Sequence, residues 1–167
     1  MIEHFRKILT GQFEAALCML NDCVRKCPEV HWDGKIANDT FRQVAYHTLF
    51  YVDLYLSPSE EAFELRELHR RGGDERSKSA PSIGLSKDES LAYLAICRQK
   101  ALATLASETR ESLERASGFS WLPFSRGEVH LYNVRHMQHH TGQLSAYLRR
   151  IVEDGERWWV RTGWRCE

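Results

Sequence analysis

The sequence is short of helix breakers. It has ten glycines and four prolines in 167 residues, and they cluster, leaving long uninterrupted segments. It also lacks a net charge, because 23 Lys and Arg balance 23 Asp and Glu. That argues against a nucleic-acid partner, which is held by an excess of cations facing phosphates. Apolar runs such as Ala15 to Leu20 fall far below the ~20 residues that span a bilayer. The N-terminus, MIEHFRKILT, carries charges throughout and has no apolar signal core. The expectation is a cytoplasmic protein with no membrane partner. The five cysteines include no C-x-x-C pair and are odd in number, which suits reduced thiols. Cys23 and Cys27, four apart with His31 nearby, could face one ligand; thiols on a mostly buried helix are the simpler reading.

A 43% hydrophobic fraction fills a core, and the length suits a single domain over residues 1–167. Helical periodicity runs from about Ile2 to Cys27, with Ile2, Phe5, Leu9, Phe13, Ala16, Leu17 and Leu20 on one stripe. Pro28 ends it. Asn38 or Asp39 is placed to cap a second helix reaching Leu56, before Ser57-Pro58. Glu60 to Arg71 predicts a short helix, and RRGGDERSKSAPSIG a loop. Ser86-Lys87-Asp88-Glu89 is a capping box opening a third long helix to about Ser107. A fourth runs from about Glu128 to Glu153, followed by a tail with Trp158, Trp159 and Trp164. No period-two alternation is bounded by turns, so no sheet is expected. Four long amphipathic helices predict an all-α four-helix bundle.

Eight histidines are many, and their placement matters more than their number. With His136 at 0° on a helical wheel, His140 falls at about 40°, among Val129, Tyr147, Ile151 and Leu144. His139 falls at about −60°, on the edge of that face, and His130 at about 120°. In the second helix His47 shares a face with Thr40, Val44, Tyr51 and Leu54. Two inward imidazoles one turn apart are hard to satisfy without something between them, and i, i+4 spacing lets both reach one ion. His47, His136 and His140 are therefore the expected ligands of a divalent metal.

The stretch Arg135-His136-Met137-Gln138-His139-His140-Thr141-Gly142-Gln143 resembles the H-x-x-x-H-x-G-Q signature of the DinB-like metalloenzymes, with Thr141 standing where many members have Arg. Ala45-Tyr46-His47-Thr48 adds the single histidine of the second helix. The resemblance implies an up-down-down-up bundle with a long crossover. It also implies a zinc or nickel ion on His47, His136 and His140. Relatives include thiol-dependent S-transferases and a mycothiol-dependent isomerase. Association as a homodimer is expected from that habit, the Trp-rich tail and the absence of a repelling net charge.

Three neutral imidazoles leave a divalent ion with an open position, the arrangement of a catalytic site. Such an ion acidifies a bound water or a thiol cofactor. No Glu or Asp lies on the inward stripe near His136 or His140, so a general base is missing, which favours thiol activation over hydrolysis. Gln143, Tyr51 and Asn133 are the candidates to orient the imidazoles. The expected function is a metal-dependent S-transferase or hydrolase acting on a small molecule with a low-molecular-weight thiol. The alternative is a non-catalytic metal-binding stress-response protein, which a fourth protein ligand would favour.

Overall fold

The computed structural model describes residues 1–77, 82–152 and 159–166. Four long helices carry it: α1 (Ile2–Lys26), α2 (Phe41–Leu56), α4 (Lys87–Ser107) and α6 (Arg126–Ile151). Two short ones, α3 (Glu67–Gly72) and α5 (Arg110–Glu114), lie in the connections. Each start is written locally. Thr40 and Gln43 form a reciprocal capping box at α2, as do Ser86 and Glu89 at α4, and Ser125 and Glu128 at α6. Two orphan backbone donors are satisfied at each of these ends.

Helix α1 packs on α4 and α6, and α2 packs on the same pair. Lys87 at the start of α4 donates to the Cys27 carbonyl just past α1 (2.8 Å), so these two helices are antiparallel. Tyr55 and Leu56 at the end of α2 meet Arg126 at the start of α6, so these are antiparallel too. Phe13 faces His130 and Cys23 faces Thr141, which makes α1 and α6 parallel. The path is up-down-down-up, and residues 57–86 form the long crossover. Phe13, Leu17 and Leu20 of α1, Leu49 and Phe50 of α2, Tyr93 and Leu94 of α4, and Met137 and Leu144 of α6 fill the centre.

Several expectations need correction. A two-stranded hairpin is present, pairing β1 (Lys35–Ile36) with β2 (Asp39–Thr40). It turns through Ala37 at φ 53°, and two-residue strands are too short to show alternation. Thr40, the last residue of the hairpin, is the cap rather than Asn38 or Asp39, because its hydroxyl accepts from the Gln43 N–H (3.2 Å). Helix α3 begins at Glu67, not Glu60: the Glu60 N–H is taken by the Gly118 carbonyl (3.0 Å), and the His69 ring accepts from the Arg66 N–H (2.9 Å). Helix α6 starts at Arg126 and ends at Ile151; Glu153 lies outside the described residues.

Cys18 and Cys166 form a disulfide, whereas reduced thiols were expected. Residues 159–166 run back along α1, with the Gly163 N–H on the Gly11 carbonyl (2.8 Å). A pairing across 148 residues leaves no local trace. Cys23, Cys27 and Cys97 are free and buried. Burial pushes the Cys23 thiol up to about 12 and that of Cys27 to about 11, so both stay protonated at neutral pH in the metal-free chain. Trp164 packs under the Arg98 guanidinium (4.4 Å to the ring centre) and Trp159 is exposed; Trp158 lies outside the described residues. Among the described residues, no helix is long and apolar enough to cross a membrane.

Two buried ionic clusters join the helices. Asp53, fully buried in α2, accepts from Arg66 (2.6 Å), Lys100 (2.6 Å) and Tyr93 (3.0 Å). Glu108, just past α4, accepts from Arg126 (3.1 Å) and bonds buried His130 (2.7 Å). Burial raises the pKa of both carboxyls, yet the net shift is down. Hydrogen bonds from His130, Ser112 and Arg126 hold Glu108 at about 2, and those from His69 and Lys100, with the charge of Lys100, depress Asp53. A depressed carboxyl stabilises the fold above its unfolded pKa, and that contribution is lost as pH falls through the folded value. The urea midpoint is therefore expected to fall steadily from about pH 5 towards pH 2, and to fall less steeply in Glu108→Gln. Identical slopes in the two proteins would contradict this.

Candidate metal centre

The capping box at Thr40 starts α2 so that His47, two turns in, faces α6. The Ser125 cap sets the phase of α6 so that His136 and His140 face back. Ligand nitrogens of these three histidines lie within 4.8 Å of one another, and the Nε2 atoms of His47 and His136 are 3.3 Å apart. Among the described residues this is the group of three or more potential ligands that comes together. The three histidines are half-buried rather than aimed into the core. The closed face of α6 is His130, Asn133, Met137, Thr141, Leu144 and Leu148. Polar Asn133 and Thr141 pack inward, and this turns His136 and His140 onto the flank, where a cleft opens between α2 and α6. His139 is exposed and stands outside the cluster.

The outer nitrogens fix the tautomers. His140 Nδ1 donates to Gln143 Oε1 (2.8 Å), leaving Nε2 a lone pair. His47 Nδ1 lies 3.1 Å from Glu75 Oε2 and donates to it, leaving its Nε2 a lone pair as well. Glu75 comes from the crossover, in the stretch read from sequence only as a loop, and it supplies the carboxylate that the α6 stripe lacks. No periodic signal could have found it. Neither Tyr51 nor Asn133 bonds an imidazole nitrogen: Asn133 donates to the Val52 carbonyl (3.2 Å), and Tyr51 lies ring to ring with His47 and His136. Thr141 is buried towards α1, away from the cleft. Arg70 and Arg71 pair with Glu67 and Glu89 and do not reach the site.

A cation between the rings resolves the two facing Nε2 atoms of His136 and His47. His136 Nδ1 is buried without a partner, and its Nε2 faces the bare Nε2 of His47. If His136 carries its proton on Nδ1, two lone pairs oppose each other at 3.3 Å; if on Nε2, a buried lone pair is orphaned at Nδ1. Two nitrogens bound tetrahedrally, each ~2.1 Å from one ion, lie roughly 3.4 Å apart, close to the spacing seen. Burial, with the charges of His140, His47 and His139 adding, pushes His136 down to about 3. Burial lowers His140 also. His136 and His140 are thus held in the neutral form that metal ligands require. The residues fit a divalent ion, and among the described residues the cluster contains no fourth protein ligand.

Residues 12–144 match the model of the DinB superfamily. The chain belongs to that superfamily. The crystal structure of a DinB-like protein (YjoA) from Bacillus subtilis is similar over 95% of this chain and 99% of its own, with TM-score 0.61 at 16% identity. That likeness carries the fold. A search of curated proteins gave no match. In this DinB-superfamily chain the shared bundle places the second-helix histidine opposite the pair on the last helix.

Two cavities meet at the cluster. One of about 310 Å³ is the more polar, with Asp39, Gln43, Ser82 and Gln143 beside Ile36, Ala37 and Val44 around His47 and His140. The other, about 480 Å³, is walled by Tyr51, Tyr55, Trp121 and Tyr132 beside His47 and His136. Glu75 lines both. Replacing it with Gln, which cannot accept as an anion, is expected to weaken metal affinity roughly 10–100-fold, the usual cost of losing an outer carboxylate. Glu75→Asp should recover part of the loss. Equal affinities for Glu75→Gln and the unaltered chain, in a chelator competition, would contradict the role given to Glu75.

Proposed function

We propose that the chain is a divalent-metal-dependent enzyme that transfers a low-molecular-weight thiol to a small electrophile. His47, His136 and His140 hold the ion, with zinc or nickel both suited to three imidazole nitrogens. The bound ion supplies a Lewis acid that makes a thiol or water acidic at neutral pH. The observation that carries the reading is the pair of unlike cavities joined at His47. Two adjoining compartments give a thiol and its acceptor separate places on either side of His47. The polar cavity suits the amide and carboxylate groups of a thiol cofactor, with Gln43 and Gln143 as partners. The aromatic cavity suits the acceptor. Glu75 stands on the shared wall, where it holds the His47 Nδ1 proton and can take a proton from a nucleophile in either compartment.

Glu75 also favours a second reading, hydrolysis, because the base whose absence weighed against it is present. Cobalt-substituted protein separates the two. Addition of a small thiol is expected to produce an intense near-ultraviolet thiolate-to-cobalt band, absent in His136→Ala. Protein that holds cobalt but shows no such band with any thiol would exclude the transfer reading.

A further inference from the structure

The aromatic cavity carries charges as well as rings. Trp121 donates to the Tyr55 hydroxyl (3.5 Å), and Tyr55 packs edge-on against Tyr132 (5.5 Å between centres). Trp121 stands at the outer end of this wall, and Tyr55 and Tyr132 continue it inward to His136, each 6.2 Å from that ring between centres. Three other groups lining the cavity carry charge: Glu60, Glu75 and Arg76. Arg76 is already neutralised, since its Nε and a terminal nitrogen both bond Asp74 (3.0 and 2.9 Å). Glu75 is engaged with His47. Glu60 is half-buried, and no described side chain donates to its carboxylate.

We propose that the aromatic cavity binds an organic cation, a protonated or quaternary amine, with Trp121, Tyr55 and Tyr132 as its ring walls and Glu60 as its counter-charge. Ring faces attract an ammonium through their quadrupoles, and the attraction strengthens as water is excluded. A free carboxylate on the same wall adds the charge that a neutral substrate would not use. An anionic group would be drawn to the ion on the histidines, whereas at the outer end the Asp74 contact leaves Arg76 no free charge to offer it. This assignment rests on the reading of the histidine cluster as the reacting end, and it names the class of molecule whose far end the cavity holds.

Calorimetry on the full, metal-loaded chain tests it with three probes of one shape: benzyltrimethylammonium, its uncharged analogue neopentylbenzene, and phenylmethanesulfonate. The ammonium is expected to bind at least tenfold more tightly than either of the others. Glu60→Gln and Trp121→Leu, both at the rim of the cavity, should each reduce that preference several-fold. Glu64→Gln, on exposed surface, should leave it unchanged. Equal or tighter binding of the neutral or anionic probe would overturn the proposal, as would a preference that survives in Glu60→Gln and Trp121→Leu. Metal content measured on the same samples keeps the two readings apart. Ammonium selectivity in protein that holds no metal sinks the metal reading alone, and metal without selectivity sinks this one alone.

Discussion

His136→Ala is expected to lose divalent metal affinity by at least a hundredfold, and His47→Ala and His140→Ala should do the same. Each removes one of three nitrogens, which costs more than the 10–100-fold typical of an outer contact. The physical reason is that no neighbouring group can take the vacated place. Glu75 is on the far side of the His47 ring, and His139 points outside the cluster. His139→Ala therefore serves as the control and should bind as the unaltered chain does. Competition against a chromophoric chelator reads both numbers. Loss of affinity in His139→Ala with retention in His136→Ala would mean that the α6 face has been assigned one step out of phase. Because the three histidines are half-buried, the alanine variants should stay folded without metal.

Arg126→Met is expected to be the most destabilising single change outside the apolar core. The guanidinium is buried and joins three helix ends. It donates to the carbonyls of Tyr55 (2.8 Å), Leu56 (3.1 Å) and Ser57 (2.7 Å) at the end of α2, and to Glu108 Oε1 (3.1 Å) past α4. Its own backbone opens α6. The carbonyls at the end of α2 have no intrahelical donors, and the negative end of that helix favours the cation. Removing one partner of a buried pair costs about 3–5 kcal/mol, since the other is left uncompensated. At about 2–4 °C per kcal/mol for a chain of this size, Tm should fall on the order of 10 °C. Arg126→Lys should recover only part of this, because a point charge cannot replace the planar fork. A drop below about 2 °C in Arg126→Met would show that the cluster is not holding the helix ends together.

What the sequence makes legible is what is local. Pro28 stops α1, and Ser86 with Glu89 starts α4 at the expected residue. The i, i+4 pair His136 and His140 lies on one side of α6, and a lone inward histidine, His47, completes the cluster. What stays hidden arrives from far along the chain. Glu75 reaches His47 only because the crossover between two parallel helices passes over the cleft, and its surroundings read as loop by composition. Cys166 reaches Cys18 through the returning tail. His69 and His130 look peripheral by position, yet both are fully buried against Tyr93 and Glu108, because a carboxylate distant in sequence, Asp53 or Glu108, stands beside the Nε2 of each. The wheel placed His136 and His140 deeper than they are, since it weighed apolar residues only and could not see Asn133 and Thr141 packing inward. That difference in depth separates a sealed core from a cleft open to substrate.

Crystals of the chain purified without chelator, measured on both sides of the absorption edge of the metal they contain, give the anomalous scattering of any bound ion. One peak per chain is expected, bonded to Nε2 of His47, His136 and His140, with Glu75 and Gln143 still on the outer nitrogens. No peak between α2 and α6, or one placed on Cys23 and Cys27 or on His139, would contradict a three-histidine metal centre.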